Sequence, residues 1–179
     1  MSVKLEPHNV TGYGAVTEEF KTKNRTALIR PTGTGKSFVV LKLIEDNEGK
    51  KVIYLAPSRP ILQQLRNNMK QNGIKYKDAN NRKLVEEYTY QKLLSMLKND
   101  ELHLEADYII LDEFHHCGAP EWGLAVEELL RQNPNAKVLG LSATPIRYFD
   151  ETIRDMAEEL FGNNIADEMN IAEAIEQGI

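Results

Sequence analysis

A run of seven residues, Pro31-Thr32-Gly33-Thr34-Gly35-Lys36-Ser37, sits between the apolar stretch Thr26-Ala27-Leu28-Ile29 and a segment of helical character from about Lys36 to Asp46. Two glycines at this spacing let the backbone turn tightly enough for successive N–H groups to point inward. The start of a helix adds its partial positive charge to the same spot. A strand feeding such a turn and then a helix makes a cradle for phosphate, formed by Thr32, Gly33, Thr34, Gly35, Lys36 and Ser37. Lys36 is placed to reach the β- and γ-phosphates of a nucleotide, and the Ser37 hydroxyl to ligate Mg²⁺. Arg30 stands where the phosphate-loop pattern has its first glycine, so the turn rests on Gly33 and Gly35.

The rest of the chain repeats the alternation of strand and helix. Further strands are expected at Lys51–Ala56, Leu84–Tyr88, Tyr108–Leu111 and Lys137–Leu141. Helices are expected after Pro57-Ser58-Arg59-Pro60, and over Gln91–Leu97, Glu121–Arg131, Glu151–Phe161 and Ile171–Gln177. Short, near-continuously apolar strands spaced by helices predict an α/β fold, a mainly parallel sheet covered by helices on both faces. Ligands bind such sheets at the carboxyl ends of the strands. Residues 1–150 read as one nucleotide-binding domain, and residues 151–179 as an acidic helical extension without a further strand.

A phosphate loop alone fits a small-molecule kinase, a GTPase or a motor ATPase. Asp112-Glu113-Phe114-His115, at the end of the most apolar strand, narrows the choice. Asp112 can hold Mg²⁺, while Glu113 can orient or deprotonate an attacking water; a kinase has no use for the second acid in that role. A third cluster, Ser142-Ala143-Thr144-Pro145, also follows a strand.

Taken in order, Pro-Thr-Gly-Thr-Gly-Lys-Ser, Ala-Pro-Ser-Arg (56–59), Thr-Tyr-Gln (89–91), Asp-Glu-Phe-His (112–115) and Leu-Ser-Ala-Thr-Pro (141–145) resemble the first RecA-like P-loop NTPase domain of superfamily 2 DEAD/DEAH-box helicases. The Asp-Glu-x-His and Thr-Tyr-Gln forms look most like the branch related to type III restriction-enzyme motor subunits. This resemblance implies ATP and Mg²⁺ as cofactors, with Lys36, Asp112 and Glu113 catalytic. It implies that His115, Ser142 and Thr144 couple the nucleotide state to domain movement. Pro57, Ser58, Arg59 and Thr89 match positions that contact a nucleic-acid backbone, DNA being preferred over RNA. Such motors also carry a second RecA-like domain bearing arginine fingers, and nothing after Thr144 resembles its Gln-x-x-Gly-Arg-x-x-Arg element. The expected reading is therefore the first domain of a longer motor; the alternative is a non-hydrolysing ATP-binding regulatory or interaction module. Pro7-His8-Asn9 lies at about the distance where such helicases place an adenine-reading glutamine, but asparagine is a loose match.

Charge fits a nucleic-acid partner only locally. Net charge is −5, yet residues 50–98 carry eleven Lys/Arg against three acids, and residues 150–179 carry nine acids against Arg154 alone. The first group contains Arg59 and Thr89, so charge and motif coincide there. A single cysteine excludes an internal disulfide and fits a reducing cytoplasm; no apolar run is long enough for a membrane span. His115-His116-Cys117 is not a zinc site, because three adjacent side chains cannot face one ion. Trp122 is expected to pack in the core rather than stack on a base.

Overall fold

In a computed structural model that describes residues 2–144, 150–162 and 164–179, six strands form one sheet in the order β3-β2-β4-β5-β1-β6. Pro145, which ends the third motif, lies outside the described residues, as does Arg147 two positions on. The strands are β1 Arg25–Ile29, β2 Val52–Ala56, β3 Val85–Thr89, β4 Tyr108–Asp112, β5 Lys137–Ser142 and β6 Ile165–Glu168, and every pairing is parallel. Successive side chains of a strand face opposite sides of a sheet, and the two cores divide accordingly. Leu28, Tyr54, Ile110 and Leu139 face one side, covered by α1 Pro7–Thr22, α2 Lys36–Asp46 and α3 Arg59–Gln71. Ile29, Ile53, Leu111 and Val138 face the other, covered by α4 Tyr90–Lys98, a 3-10 turn Phe114–Gly118, α5 Pro120–Gln132 and α6 Glu151–Phe161. The expected parallel sheet with helices on both faces is what forms.

Two elements depart from the sequence expectation. Helix α1 was not anticipated, because its buried face is Asn9, Gly12, Val16 and Phe20, of which two are not apolar. Residues 151–179 were expected to be helical without a strand, yet Ile165–Glu168 pairs with β1 and extends the sheet by one strand before α7 Ile171–Glu176. Its acidic residues suit an edge, where one side of the strand stays exposed.

Close packing on the α6 face explains one glycine. A Cβ at Gly140 would lie 2.3 Å from Phe161 and 2.9 Å from Phe114, two rings that meet edge to face at 4.9 Å over β5. Phe114 follows the acidic pair directly, so this contact anchors the segment carrying Asp112 and Glu113.

Candidate functional site

The turn between β1 and α2 has the geometry a phosphate cradle needs. Gly33 and Gly35 adopt φ of +88° and +77°, conformations that residues with a Cβ rarely take. A Cβ at Gly35 would also fall 2.7 Å from the Asn9 amide nitrogen. Thr34 is buried, its hydroxyl donating to the Pro31 carbonyl at 2.9 Å, whereas Thr32 and Gly33 lie exposed at the tip. Lys36 opens α2 and folds back over the loop, its Nζ donating to the carbonyls of Arg30 (2.8 Å) and Pro31 (3.2 Å). Burial lowers the Lys36 pKa, while the charges of Glu113 and Asp112 oppose that shift. Acidic pair and lysine are thus brought together although 76 residues separate them in the chain. Ser37 follows in the first turn of α2.

Asp112 ends β4 and is held from two sides. The Tyr54 hydroxyl, from neighbouring β2, donates to Asp112 Oδ2, and the Tyr90 hydroxyl donates to the Asp112 backbone carbonyl at 2.8 Å. Burial raises the Asp112 pKa; the Tyr54 hydrogen bond works against it, Glu113 adds to it, and Lys36 counters. Ser37 and Asp112 offer a hydroxyl and a carboxylate, hard oxygen donors of the kind magnesium takes alongside substrate phosphates and water. The site residues therefore fit that ion.

Glu113 occupies the left-handed region at φ 48°, unusual for a residue with a Cβ and of order 1–3 kcal/mol in strain. The 3-10 turn beginning at Phe114 fixes this bend, with the His116 N–H donating to the Glu113 carbonyl at 3.0 Å. From Glu113 a chain of polar contacts crosses to β5. His115 Nδ1 lies 3.4 Å from Glu113 Oε2 and 3.4 Å from Ser142 Oγ. Ser142 Oγ in turn accepts from the Thr144 N–H at 3.1 Å. Burial, then His116, lowers the His115 pKa, with Glu113 opposing. The three residues expected to couple nucleotide state to movement are therefore contiguous with one another and with Glu113.

At the other end of the sheet, Arg59 and Thr89 line one groove of about 450 Å³ together with Gln63, Arg66, Tyr88 and Lys92. Thr89 caps α4, its hydroxyl accepting from the Lys92 N–H at 3.1 Å, and Ser58 holds the N-cap position of α3 just after Pro57. Arg66 is tied to Glu87, and Arg82 to Asp78, which consumes part of the local basic surplus. Among the described residues Arg59 and Lys92 make no ion pair, and both are exposed.

Sequence reasoning missed Tyr54 and Tyr90, which position Asp112 from within two core elements and look like ordinary apolar residues in a one-dimensional reading. It also left Arg30 without a role. The Arg30 guanidinium turns away from the loop and is buried, and His8 and Asn9 contact the loop itself through the Thr34 carbonyl at 2.8 and 2.9 Å. Beside them opens a cavity of about 540 Å³, lined by His8, Asn9, Gly33–Gly35 and Phe38 and by Gln177–Ile179. Cys117 is buried, its thiol pushed up to about 12 by burial. Trp122 stacks on Tyr90 at 5.7 Å and packs against the core.

Known proteins resemble this chain in sequence and fold. Residues 2–147 match the family model described as type III restriction enzyme, res subunit. The chain is 31% identical over 136 residues to "Putative helicase 22" of Sulfolobus islandicus filamentous virus, covering 65% of this chain and 24% of that protein. Its fold is similar to that of the type ISP restriction-modification enzyme LlaGI, solved with a DNA substrate mimic: TM-score 0.74, 23% identity, 98% of this chain and 21% of the other. The Sulfolobus solfataricus SWI2/SNF2 ATPase core, solved with duplex DNA, gives 0.68 at 18% identity, over 89% of this chain and 36% of that one. The sheet and its helices are those of a RecA-like ATPase domain, and the chain spans about a quarter of the length of the viral relative.

Proposed function

The chain belongs to the family of type III restriction enzyme res subunits, and on that premise we propose that it is the N-terminal, ATP-binding domain of a nucleic-acid-dependent ATPase that translocates on or unwinds DNA. One observation carries the reading. Lys36, from the loop after β1, and Asp112-Glu113, at the end of β4, converge at the carboxyl edge of one sheet. In this reading the N–H groups of Thr32–Ser37 and the Lys36 ammonium hold the triphosphate. Ser37 and Asp112 hold Mg²⁺, which when bound neutralises developing charge on the phosphates. Glu113 accepts a proton from water as its oxygen forms a bond to the γ-phosphorus and the bond to the β–γ bridging oxygen breaks, yielding ADP and phosphate.

His115, Ser142 and Thr144 are the coupling residues, since their contacts begin at Glu113. Pro57, Ser58, Arg59 and Thr89 are the nucleic-acid contacts in this reading, Arg59 and Thr89 lining the groove and Pro57 and Ser58 lying just before it at the start of α3. DNA is preferred over RNA as partner because the similar structures include ones solved with DNA. Residues 151–179 close the sheet with β6 and lead towards a second RecA-like domain that supplies arginine fingers. A reducing, cytoplasmic setting suits such a motor; among the described residues no helix is long and apolar enough to cross a membrane. A non-hydrolysing ATP-binding module is the weaker reading, because a complete acid pair has no purpose in one. Steady-state ATPase measurements on the protein carrying both domains, with single-stranded DNA, duplex DNA and RNA, decide between them. Turnover stimulated by DNA is expected, and nucleotide binding without turnover under all conditions would overturn the assignment.

A further inference from the structure

Arg30 replaces a loop glycine, yet it is one of the most deeply buried side chains in the protein, at 1% exposure. Its Nε donates to Asp167 Oδ2 of β6 at 2.8 Å, and Nη2 donates to the same oxygen. Nη1 donates to the His8 carbonyl at 2.7 Å and reaches Asn9 Oδ1 at 3.5 Å. Gly12 makes room, since a Cβ there would lie 2.7 Å from Nη2. The guanidinium therefore ties the start of α1 to the edge strand β6. What it orders is the pair that touches the loop: Asn9 Nδ2 and His8 Nε2 both meet the Thr34 carbonyl. Carbonyls only accept, so Nε2 carries the hydrogen.

The consequence follows from peptide geometry. In a trans peptide the C=O and the following N–H point in opposite directions. A Thr34 carbonyl fixed outward by two donors aims the Gly35 N–H inward, at the cradle. We propose that Arg30 is a positioning residue for nucleotide binding: braced by Asp167, it sets His8 and Asn9 against the Thr34 carbonyl and so orients the Gly35 N–H towards the bound phosphates. This rests on the reading of Thr32–Ser37 as the triphosphate cradle. Arg30 acts from behind the loop and touches no substrate.

The test separates positioning from stability. Replacing a buried ion pair by apolar residues of similar volume is often neutral for folding, so the paired change Arg30→Met/Asp167→Leu retains the fold while removing the brace. Asn9→Ala leaves the ion pair intact and removes one donor to Thr34, which covers the case in which the double variant does not fold. Mg²⁺-dependent binding of a fluorescent ATP analogue is measured in the full chain, with displacement by inorganic tripolyphosphate. A misdirected N–H costs a charge-assisted hydrogen bond, so affinity should fall about tenfold in the double variant, and severalfold in Asn9→Ala. Tripolyphosphate, which has no base or sugar, should lose the same factor as the nucleotide, with the melting temperature of Asn9→Ala close to that of the parent. Affinities within twofold of the parent in the variants that fold would overturn the inference, as would a loss seen for the nucleotide but not for tripolyphosphate. Lys36→Ala is the control on the premise: if it too binds normally, the cradle reading itself fails, whereas loss in Lys36→Ala alone removes only the role of Arg30.

Discussion

Lys36→Ala removes an ammonium whose partners in the loop are known, so its effect can be worked from the structure. Its Nζ donates to two backbone carbonyls, at 2.8 and 3.2 Å. Binding exchanges those neutral acceptors for phosphate oxygens. Opposite unit charges about 4 Å apart attract by about 4 kcal/mol at the effective dielectric of a partly exposed protein site. Two surrendered carbonyl bonds return roughly 0.5–1.5 kcal/mol each. The net loss in the alanine variant is about 1–3 kcal/mol, or about 5- to 150-fold in affinity at 1.4 kcal/mol per decade. Titration of a fluorescent ATP analogue with Mg²⁺ measures it directly. Thermal stability should fall modestly as well, because the Arg30 carbonyl belongs to a residue only 1% exposed and loses its Lys36 donor. An affinity within twofold of the parent would refute both the exchange argument and the assignment of the loop.

Glu113→Gln in the two-domain protein should leave ATP affinity within about twofold and lower steady-state turnover by two or more orders of magnitude, in the range general-base removal produces; turnover within a few-fold of the parent would exclude Glu113 as the catalytic carboxylate. Tyr54→Phe removes a hydrogen bond that opposes the raised pKa of Asp112, so that pKa rises further. The carboxylate is charged above its pKa, hence Mg²⁺-dependent turnover is lost as pH falls, and the acid limb of the pH–rate profile should move to higher pH; superimposable limbs would contradict this. Arg59→Ala should lower the slope of log K against log salt for DNA binding by roughly 0.7–0.9, and an unchanged slope and affinity would reject the contact. The 179-residue chain alone should bind nucleotide yet hydrolyse it slowly, because an arginine supplied from a partner contributes on the order of 10³–10⁵ in rate; strong DNA-stimulated turnover by this chain would show that the positive group comes from within it.

Features legible in the sequence were those whose chemistry is local. Strand and helix positions from β1 to α6 followed from periodicity, and α2 spans Lys36–Asp46 as read. The phosphate turn, the acid pair and Ser142–Thr144 each announce themselves within a few residues. What could not be read depended on contacts across the chain. Helix α1 buries an asparagine and a glycine because Arg30 lies against them, so its apolar pattern is diluted by a partner about twenty residues away. Strand β6 is acidic because Asp167 answers the same arginine from 137 residues away. Tyr54 and Tyr90 bear on the site through hydroxyls that meet at Asp112, a convergence that no one-dimensional spacing contains.

The order of the strands shows how, on the proposed function, one edge of the sheet would serve both nucleotide and nucleic acid. Reading across the sheet, the carboxyl ends carry Thr89 on β3, Pro57–Arg59 after β2, Asp112-Glu113 after β4, Ser142–Thr144 after β5, the phosphate loop after β1 and Asp167 on β6. Neighbouring strands lie about 4.8 Å apart, so the groove at β2 and the loop at β1 are separated by roughly three such steps. The two strands between them hold the residues in polar contact: Glu113 and His115 follow β4, and Ser142 closes β5. On the proposed function, a change at the γ-phosphate would have a short route along the edge, from Glu113 through His115 to Ser142 and Thr144. Ser142 also reaches the nucleotide side directly, because its carbonyl accepts from the Arg30 N–H at 3.0 Å. Arg30 thereby meets three parts of the fold at once: Ser142 of β5 through its N–H, Lys36 through its carbonyl, and α1 with β6 through its guanidinium. A glycine at position 30 would keep the two backbone links and lose the third.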